Sequence, residues 1–503
     1  MATFSVVTFG CQMNVHDSQR MEEVLVGAGY QKTDDPEVAD VVILNTCSVR
    51  EKAEQKLRSE VGRFGVLKRS RPELVLGVAG CVAQQEGERL LRGLPQIDLI
   101  LGPDNIPELP QLLRDQELGA LPRVRTVFDL EAPSFLMAEP NALAPEVSAF
   151  VTVMKGCNER CSYCIVPHTR GPERYRSSRE IIEECKRHVA AGAREITLLG
   201  QTVNSYRDPE RALPPAPRFG ELKFGAERLG RLRGRAAKED ETEFPALLLA
   251  LSEALPELWR LRYTSPHPRH LTPSLIEAHA ALPVLAKHVH MPVQSGSNTL
   301  LKRMIRRYTR EEYLERTRAL SDAVPGLTLS TDMIVGFPGE TDADFEETLS
   351  LVEEAGFVSL FGFKYSVRPY TPAEKLVDDI SEEEKSSRLA RLFALTDAQK
   401  QRHLASLVGH EEIVLIDGFG KTGEPRGRTE RNEIVHLPHA DSGPALEVGA
   451  LVRVEVCTAY KNSLRGKTLE LIRTGLKSRE ATAREAGPAS NEPKPERRLL
   501  PVL

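Results

Sequence analysis

The chain has 503 residues, of which 41% are hydrophobic and 28% are charged, and its formal net charge is -5. This composition is typical of a globular protein and excludes a disordered chain or one built of membrane spans. The length exceeds what one hydrophobic core supports, so we expect roughly two to four domains. The weak negative charge neither favours nor excludes a nucleic-acid partner.

The start of the chain, Met1 to Ser5, carries neither the basic segment nor the apolar run of an export signal. We therefore expect a cytoplasmic protein without a membrane partner, whose eight cysteines are reduced. Reduced cysteines more often bind metals or serve catalysis than form disulfides. Six of the eight fall into two sets of three, which disulfide pairing does not predict.

Strand-like and helix-like patterns alternate along residues 1–125. Three short aliphatic runs, each followed by a more polar helical stretch, are predicted strands: Phe4–Phe9, Val41–Asn45 and Leu74–Ala79. The alternation predicts an N-terminal α/β domain built on a parallel sheet. The Ala- and Pro-rich stretch 132–145 is predicted to be a linker.

The first set of cysteines, Cys11, Cys47 and Cys81, follows these three strands almost immediately. The carboxyl ends of parallel strands lie on one edge of a sheet, where open α/β folds bind ligands. A single cysteine at such a position is usually a small buried hydrophobic residue. Three in register predict instead that the thiols meet at a metal site.

A second α/β region spans residues 143–385. Its predicted strands are Phe150–Met154, Glu195–Leu199, Leu261–Tyr263, His288–Pro292, Leu327–Val335 and Leu360–Tyr365. Helices lie between them, and the one over Thr341–Glu354 opens with Thr341 as its N-cap. The repeated βα units predict a full or partial barrel. Residues 207–243 interrupt them, and we expect a solvated surface insertion, with an accessory RNA contact as the alternative.

The C-terminal part begins with a charged helix from Ser381 to about Ala405, followed by a small β-rich unit within residues 404–475. Its basic side chains could contact RNA phosphates or belong to an ordinary solvated surface. They are Lys421, Arg426, Arg428, Arg431, Arg453, Lys461, Arg465 and Lys467. The tail 476–503 lacks core-forming residues and is predicted to be disordered.

The second set of cysteines, Cys157, Cys161 and Cys164, forms a C-x3-C-x2-C run directly after a predicted strand. Three thiolates so close in sequence converge on one metal centre at little cost in loop closure. Three ligands are one fewer than a closed zinc site or an ordinary four-iron cluster uses. A four-iron cluster would keep one iron open for a small molecule. The alternative is a zinc site completed by His168.

This motif, with the aromatic Tyr163 before its last cysteine, resembles that of the radical S-adenosylmethionine superfamily. The resemblance implies a partial (βα)6 barrel and a [4Fe–4S] cluster on Cys157, Cys161 and Cys164 whose open iron binds S-adenosylmethionine. One-electron reduction would then release a 5′-deoxyadenosyl radical. Gly200 and Gln201, at a strand end, are predicted to shape the S-adenosylmethionine pocket, with a structural turn as the alternative.

Together the two cysteine sets resemble the methylthiotransferase family, whose chains join an N-terminal cluster domain, a radical domain and a C-terminal TRAM domain. Similar strings are Thr8–Asn14, Leu198–Gln201, Met291–Ser297 and Ile334–Thr341. The resemblance implies a second [4Fe–4S] cluster on Cys11, Cys47 and Cys81 that relays sulfur, and no catalytic side chains beyond the cysteines. It also implies two S-adenosylmethionine molecules per product, an external electron donor, an external sulfur source and a monomeric enzyme.

Four strings resemble most closely the branch of this family that acts on isopentenylated adenosine: Gln12-Met13-Asn14, Arg306–Thr309, Gly427–Asn432 and Asn462–Gly466. They imply methylthiolation at C2 of N6-isopentenyladenosine 37 in the anticodon loop of tRNA. The alternatives are threonylcarbamoyladenosine in tRNA or an aspartate of a ribosomal protein. An alternative of another class is a non-catalytic RNA-binding protein stabilised by zinc.

Several residues are predicted to lie outside this chemistry. Thr202 stands where the family often has Asn and Tyr370 where Gly is usual, and neither is expected to touch a cysteine. Cys185 and Cys457 are predicted core residues. His267, His288 and His290 are expected to pack or hydrogen-bond, and Asp332 and Glu340 to be weak candidates for ligand contact.

Overall fold

The computed structural model describes residues 1–48, 51–117, 124–130, 135, 146–214, 219, 224–233, 241–438 and 446–475. Apart from Phe135, the predicted linker 132–145 lies outside the described residues. The predicted tail 476–503 and parts of the insertion 207–243 also lie outside them.

The N-terminal region is a six-stranded, all-parallel sheet, as the alternating pattern predicts. Its strands are β1 (Thr3–Phe9), β2 (Gln31–Lys32), β3 (Val41–Thr46), β4 (Val75–Gly80), β5 (Leu99–Leu101) and β6 (Val124–Arg125), in the order β2-β1-β3-β4-β5-β6. The helices are α1 (Gln12–Gly27), α2 (Glu51–Ser70), α3 (Cys81–Glu86), α4 (Glu88–Gly93) and α5 (Leu109–Glu117). Successive residues of β3 enter different cores, Val42 and Leu44 on one face and Val41 and Ile43 on the other. β3 is therefore buried on both faces, as is typical of parallel sheets covered by helices.

The central region is a partial barrel of six parallel strands. These are β7 (Ser148–Thr152), β10 (Glu195–Leu199), β11 (Arg260–Tyr263), β12 (His288–His290), β13 (Thr328–Val335) and β14 (Ser359–Lys364), with a small antiparallel pair, β8 (Met154–Lys155) and β9 (Arg174–Tyr175). They form two halves, β11-β10-β7 and β12-β13-β14, joined by a parallel bridge between Leu261 and Leu285. The predicted (βα)6 architecture is confirmed.

Helices alternate with the strands of the barrel. They are α6 (Val166–Arg170), α7 (Ser178–Ala190), α8 (Ala226–Arg233), α9 (Phe244–Ala254), α10 (Pro273–Ala281), α11 (Asn298–Arg303), α12 (Arg310–Ala323) and α13 (Asp342–Ala355). Thr341 is the N-cap of α13, and its hydroxyl accepts a hydrogen bond from the Asp344 backbone N–H, as predicted. Thr309 caps α12 in the same way with Glu312. These caps fix where the helices begin and hence where the preceding loops run.

The insertion 207–243 is not simply solvated, contrary to our expectation. Its helix α8 buries Leu229 and Leu232 in the barrel core. Arg228 pairs with Asp322 of α12 at 2.6 Å. An apolar stripe at helical spacing anchors this part of the insertion.

The C-terminal region is helix α14 (Glu382–Ser406) followed by a closed five-stranded barrel. The barrel strands are β15 (Glu411–Phe419), β16 (Pro425–Thr429), β17 (Ile434–His436), β18 (Leu451–Ala459) and β19 (Leu464–Arg473). The buried Arg260 of β11 donates to the backbone carbonyls of Arg428 and Ile413 at 2.8 and 3.2 Å. Hydrogen bonds from the Arg260 side chain to the backbone of the small barrel therefore connect it to the central barrel.

Cys185 is buried, as predicted, but Cys457 is exposed and that prediction is wrong. On β18 the side chains of Val452, Val454 and Val456 point into the small barrel, so residue 457 falls on the outer face.

Among the described residues, no helix combines the length and the apolar character needed to cross a lipid bilayer.

Candidate metal centres

Cys11, Cys47 and Cys81 lie at the carboxyl ends of three neighbouring strands, as the sequence predicts. Thr46 is in register with Phe9 on β1 and with Gly80 on β4, so the three strands end at the same level. The Cys47 backbone N–H donates to the Phe9 carbonyl at 2.9 Å. Gly80 has φ +92°, a conformation that glycine adopts without strain, and it turns the chain directly into Cys81.

The environment of Cys11 favours a thiolate. The Cys47 thiol donates to the Cys11 sulfur and holds the pKa of Cys11 at about 6, against the opposing effect of burial. Cys11 is also the N-cap of α1, and the backbone N–H groups of Asn14 and Met13 lower its pKa further. A helix N-terminus stabilises negative charge, and the thiolate is the form that binds metals.

Arg170, from the central region, reaches into this first trio. Its Nε donates to Cys81 Sγ at 3.3 Å, and its Nη2 donates to Asp17 Oδ2 at 2.5 Å. Burial would lower the pKa of Arg170, but Asp17 and Cys81 raise it well above its usual value. Burial has the opposite effect on the thiol and raises the pKa of Cys81, whereas the positive charge of Arg170 lowers it.

The two trios share one junction between the N-terminal and central regions. Helix α6 begins just after Cys164, and Arg170 is its last residue. This helix packs against α3, whose first residue is Cys81.

Cys157, Cys161 and Cys164 lie on a loop braced by the rest of the barrel. The Cys157 N–H donates to the Gly171 carbonyl at 3.1 Å, and the Ser162 N–H donates to the Met304 carbonyl at 2.9 Å. Burial raises the pKa of Cys157 to about 12 and raises that of Cys164 as well. A metal cation bound by the thiols would oppose this effect and favour the thiolate form, which is the form that ligates metals.

A second buried arginine contacts this loop. Arg306 Nη1 donates to Cys161 Sγ at 3.2 Å, and its other nitrogens donate to the Pro292 carbonyl and the Tyr308 hydroxyl at 2.9 and 2.8 Å. These hydrogen bonds fix the orientation of the guanidinium, so that one of its N–H groups points at a cysteine sulfur.

The segment Gly200-Gln201-Thr202 packs directly on the cysteine loop. Gln201 Oε1 accepts from the Gly156 N–H. Thr202 Oγ1 lies 2.9 Å from Cys157 Sγ, so our expectation that Thr202 touches no cysteine is wrong. A side chain on Gly200 would meet Met154 Cγ at 2.6 Å, which explains the glycine by close packing.

Three buried polar atoms around the cysteine loop have no hydrogen-bond partner among the described residues. They are Gln201 Nε2, Glu159 Oε2 and His267 Nε2. Unpaired buried polar groups are costly, so they usually mark the place of a bound molecule or water. A donor, an acceptor and an imidazole nitrogen fit a small ligand with amino, carboxylate and hydroxyl groups.

The chain is similar to known proteins along its whole length. Sequence models of three families match: "Uncharacterized protein family UPF0004" at residues 3–102, the radical SAM superfamily at 151–352 and the TRAM domain at 405–469. A tRNA-2-methylthio-N(6)-dimethylallyladenosine synthase from Sorangium cellulosum is 58% identical over 100% of this chain and 99% of its own length. The protein belongs to this synthase family. The synthase of the same name from Geobacter sulfurreducens is 44% identical over 92% of this chain and 96% of its own length.

Among solved structures, a radical S-adenosylmethionine methyltransferase from Kitasatospora setae, with cobalamin and a [4Fe-4S] cluster bound, aligns with a TM-score of 0.49 at 14% identity. The alignment covers 74% of this chain and 77% of that chain.

Membership of the radical SAM superfamily implies one [4Fe–4S] cluster and S-adenosylmethionine. Among the described residues, no three His, Cys, Asp or Glu side chains are grouped as a single metal ion requires. Each site offers three cysteine thiols, one fewer than the four ligands of a closed zinc site, and this donor set fits an iron–sulfur cluster that keeps one iron open.

The other predicted residues have structural roles. Tyr370 has φ +66°, which lies in the left-handed region that glycine adopts with least strain. Its ring lies 5.9 Å from that of His168, and the Arg89 guanidinium lies over it at 5.4 Å. His288 contacts the hydroxyls of Thr328 and Ser330 at 2.9 and 3.0 Å.

The two acids considered as ligand contacts have protein partners. Asp332 lies 3.3 Å from His290. Glu340 is buried, accepts from the Gly336 N–H at 2.6 Å and pairs with Arg388 at 2.8 Å. Sequence reasoning missed the cysteine contacts of Arg170 and of Arg306, although Arg306 belongs to one of the similar strings.

Proposed function

We propose that this protein is a methylthiotransferase that modifies C2 of N6-isopentenyladenosine 37 in the anticodon loop of tRNA. The observation that carries the proposal is the packing of α6, which follows Cys164, on α3, which begins at Cys81, in a chain 58% identical to a tRNA-2-methylthio-N(6)-dimethylallyladenosine synthase. The C2–H bond of adenine is too weakly acidic for side-chain bases. A radical is needed to break it.

In this proposal Cys157, Cys161 and Cys164 hold the cluster that binds S-adenosylmethionine, and Cys11, Cys47 and Cys81 hold a second one. When bound, the clusters and S-adenosylmethionine supply the 5′-deoxyadenosyl radical, the sulfur and the methyl group. The radical comes from one S-adenosylmethionine and the methyl group from another. Gln201 Nε2 and His267 Nε2, which lack hydrogen-bond partners among the described residues, then form hydrogen bonds with S-adenosylmethionine.

The tRNA contacts are proposed for a smaller set of basic residues than the sequence suggests. Five of the eight candidates have carboxylate partners: Arg426 and Arg428 share Asp417, Arg431 pairs with Glu412 and Glu433, Arg453 with Glu411 and Glu470, and Lys461 with Asp397. Lys421, Arg465 and Lys467 are exposed and make no ion pair with the described residues. These three cations suit phosphate contact, which positions RNA without reading its sequence.

The enzyme is further proposed to act as a cytoplasmic monomer that depends on an external electron donor and an external sulfur source.

The test is iron content and product analysis of the anaerobically reconstituted protein. Two clusters predict about eight irons per chain, and nucleoside mass spectrometry should show 2-methylthio-isopentenyladenosine. Cys157→Ala should lose half of the iron and all 5′-deoxyadenosine formation. Cys11→Ala should lose the other half of the iron and the methylthio product, while still cleaving S-adenosylmethionine.

Cys457→Ala is the matched control, because this exposed cysteine should change neither readout. Zinc in place of iron would show the RNA-binding alternative to be correct. Product only on threonylcarbamoyladenosine or on a ribosomal protein would reassign the substrate.

A further inference from the structure

Each cysteine trio receives one N–H from a buried arginine. Arg170 contacts Cys81 Sγ at 3.3 Å, and Arg306 contacts Cys161 Sγ at 3.2 Å. Both arginines are about 5% exposed or less. A hydrogen bond or a positive charge at a cluster sulfur stabilises the reduced, more negative state and so raises the reduction potential.

The two arginines differ in their counter-charge. Arg170 Nη2 donates to the Asp17 carboxylate at 2.5 Å, and the two side chains are only 3% and 9% exposed. Arg306 is held by a carbonyl and a hydroxyl, and it makes no ion pair with the described carboxylates. Charges interact strongly at low dielectric, so the negative charge of Asp17 cancels part of the electric field of Arg170 at the cluster. The field of Arg306 is not reduced in this way, because no described carboxylate pairs with it.

We propose that Arg170 and Asp17 are positioning residues that set the reduction potential of the second cluster, Arg170 raising it and Asp17 limiting the rise. The inference rests on the proposed function, since it requires a cluster on Cys11, Cys47 and Cys81.

The two residues come from different regions of the chain. Asp17 lies on α1 of the N-terminal region, whereas Arg170 ends the helix that follows Cys164 in the central region. Nη1 of Arg170 is buried and has no hydrogen-bond partner among the described residues, which leaves its two N–H donors for a group bound at the cluster. The second cluster therefore acquires its working potential only when the two regions are docked.

The test is a redox titration of the full-length, two-cluster protein with dithionite and mediators, followed by electron paramagnetic resonance. Adding S-adenosylmethionine changes the signal of the cluster that binds it and so assigns each midpoint. Arg170→Gln should lower the midpoint of the second cluster by about 59 mV or more, a tenfold loss in the equilibrium constant for one-electron reduction. Asp17→Asn should raise the same midpoint.

Arg306→Gln is the reciprocal control, and it should lower the midpoint of the first cluster alone. A purely structural role of the Arg170–Asp17 pair would not move one midpoint in opposite directions. Unchanged midpoints, or shifts of the same sign in Arg170→Gln and Asp17→Asn at full iron content, would overturn the inference.

If Arg170→Gln binds only half of the iron, the Arg170→Lys variant tests the inference instead, because lysine keeps the positive charge. Its second-cluster midpoint should lie near the wild-type value, and a fall as large as tenfold would overturn the inference. A wild-type protein with a single cluster refutes the proposed function instead, so the two failures are distinguishable.

Discussion

At the scale of single residues, local rules predicted the positions of the cysteines but not the groups that touch them. The carboxyl end of a strand follows from the residues around it, so the sequence alone places Cys11, Cys47 and Cys81 at strand ends. Arg170 and Arg306 lie 89 and 145 residues from the cysteines they contact. No periodicity or spacing reveals a contact across such a separation.

Cys457 shows a local signal that was overlooked. The alternation Val452, Val454, Val456 already places residue 457 on the opposite face of the strand. The preference of cysteine for protein interiors favours the core, but the phase of the strand decides which face residue 457 occupies.

Thr202 supports the cysteine loop through its hydroxyl, which lies 2.9 Å from Cys157 Sγ. A hydrogen bond to a charged group contributes about 1.5–3 kcal/mol. We expect Thr202→Val to slow 5′-deoxyadenosine formation roughly tenfold or more, at unchanged iron content. Thr202→Ser keeps the hydroxyl and should retain most of the rate. Equal rates in the Val and Ser variants would show that the contact is incidental.

At the scale of secondary structure, most elements follow from pattern and capping, and their ends follow from backbone chemistry. The strand predicted over His288–Pro292 ends at His290, since Pro292 has no N–H to continue the ladder. The short strands β5 and β6 were not predicted, because three and two residues are too few to show a period.

Helix α10 and strand β11 are joined by a buried, titratable pair. His279 Nε2 lies 2.7 Å from the Tyr263 hydroxyl, and burial lowers the pKa of His279 to about 4. The unfolded chain takes up this proton near pH 6.5, so its contribution to stability is complete above that pH and is lost as the pH falls toward 4.

We therefore expect acidification from pH 7.5 to 5.5 to destabilise the wild type more than His279→Gln, by about 1.4 kcal/mol. Thermal midpoints of both proteins at the two pH values, under anaerobic conditions, measure the difference. Parallel pH profiles would mean that His279 does not titrate on unfolding.

At the scale of the whole molecule, the motifs predicted three regions but not how they dock. The N-terminal and central regions are joined by buried charges, among them Asp104, which lies 3.2 Å from Lys155 and also pairs with Arg174. Lys155 directly precedes Gly156 and Cys157, so this contact also fixes the base of the cysteine loop. Docking depends on side-chain geometry, which the sequence does not display.

Asp104→Asn should weaken this docking. Removing one member of a buried ion pair costs about 3–5 kcal/mol, because the remaining cations lose their partner. We expect faster hydrogen exchange over residues 148–175 and a lower thermal midpoint.

Glu37→Gln breaks an exposed pair with Arg63 and is the matched control, expected to cost about 0–1 kcal/mol. Equal effects of the two substitutions would place the stability of the junction elsewhere.

Strands β1, β3 and β4 end at the same level of the sheet, and this has an evolutionary consequence. The helices between these strands run over the surface of the sheet, and their lengths do not determine where the strands stop. Insertions and deletions in those connections should therefore be tolerated in related chains. A one-residue slip within β3, by contrast, would turn every side chain of that strand to the wrong core and carry Cys47 out of line with its two neighbours.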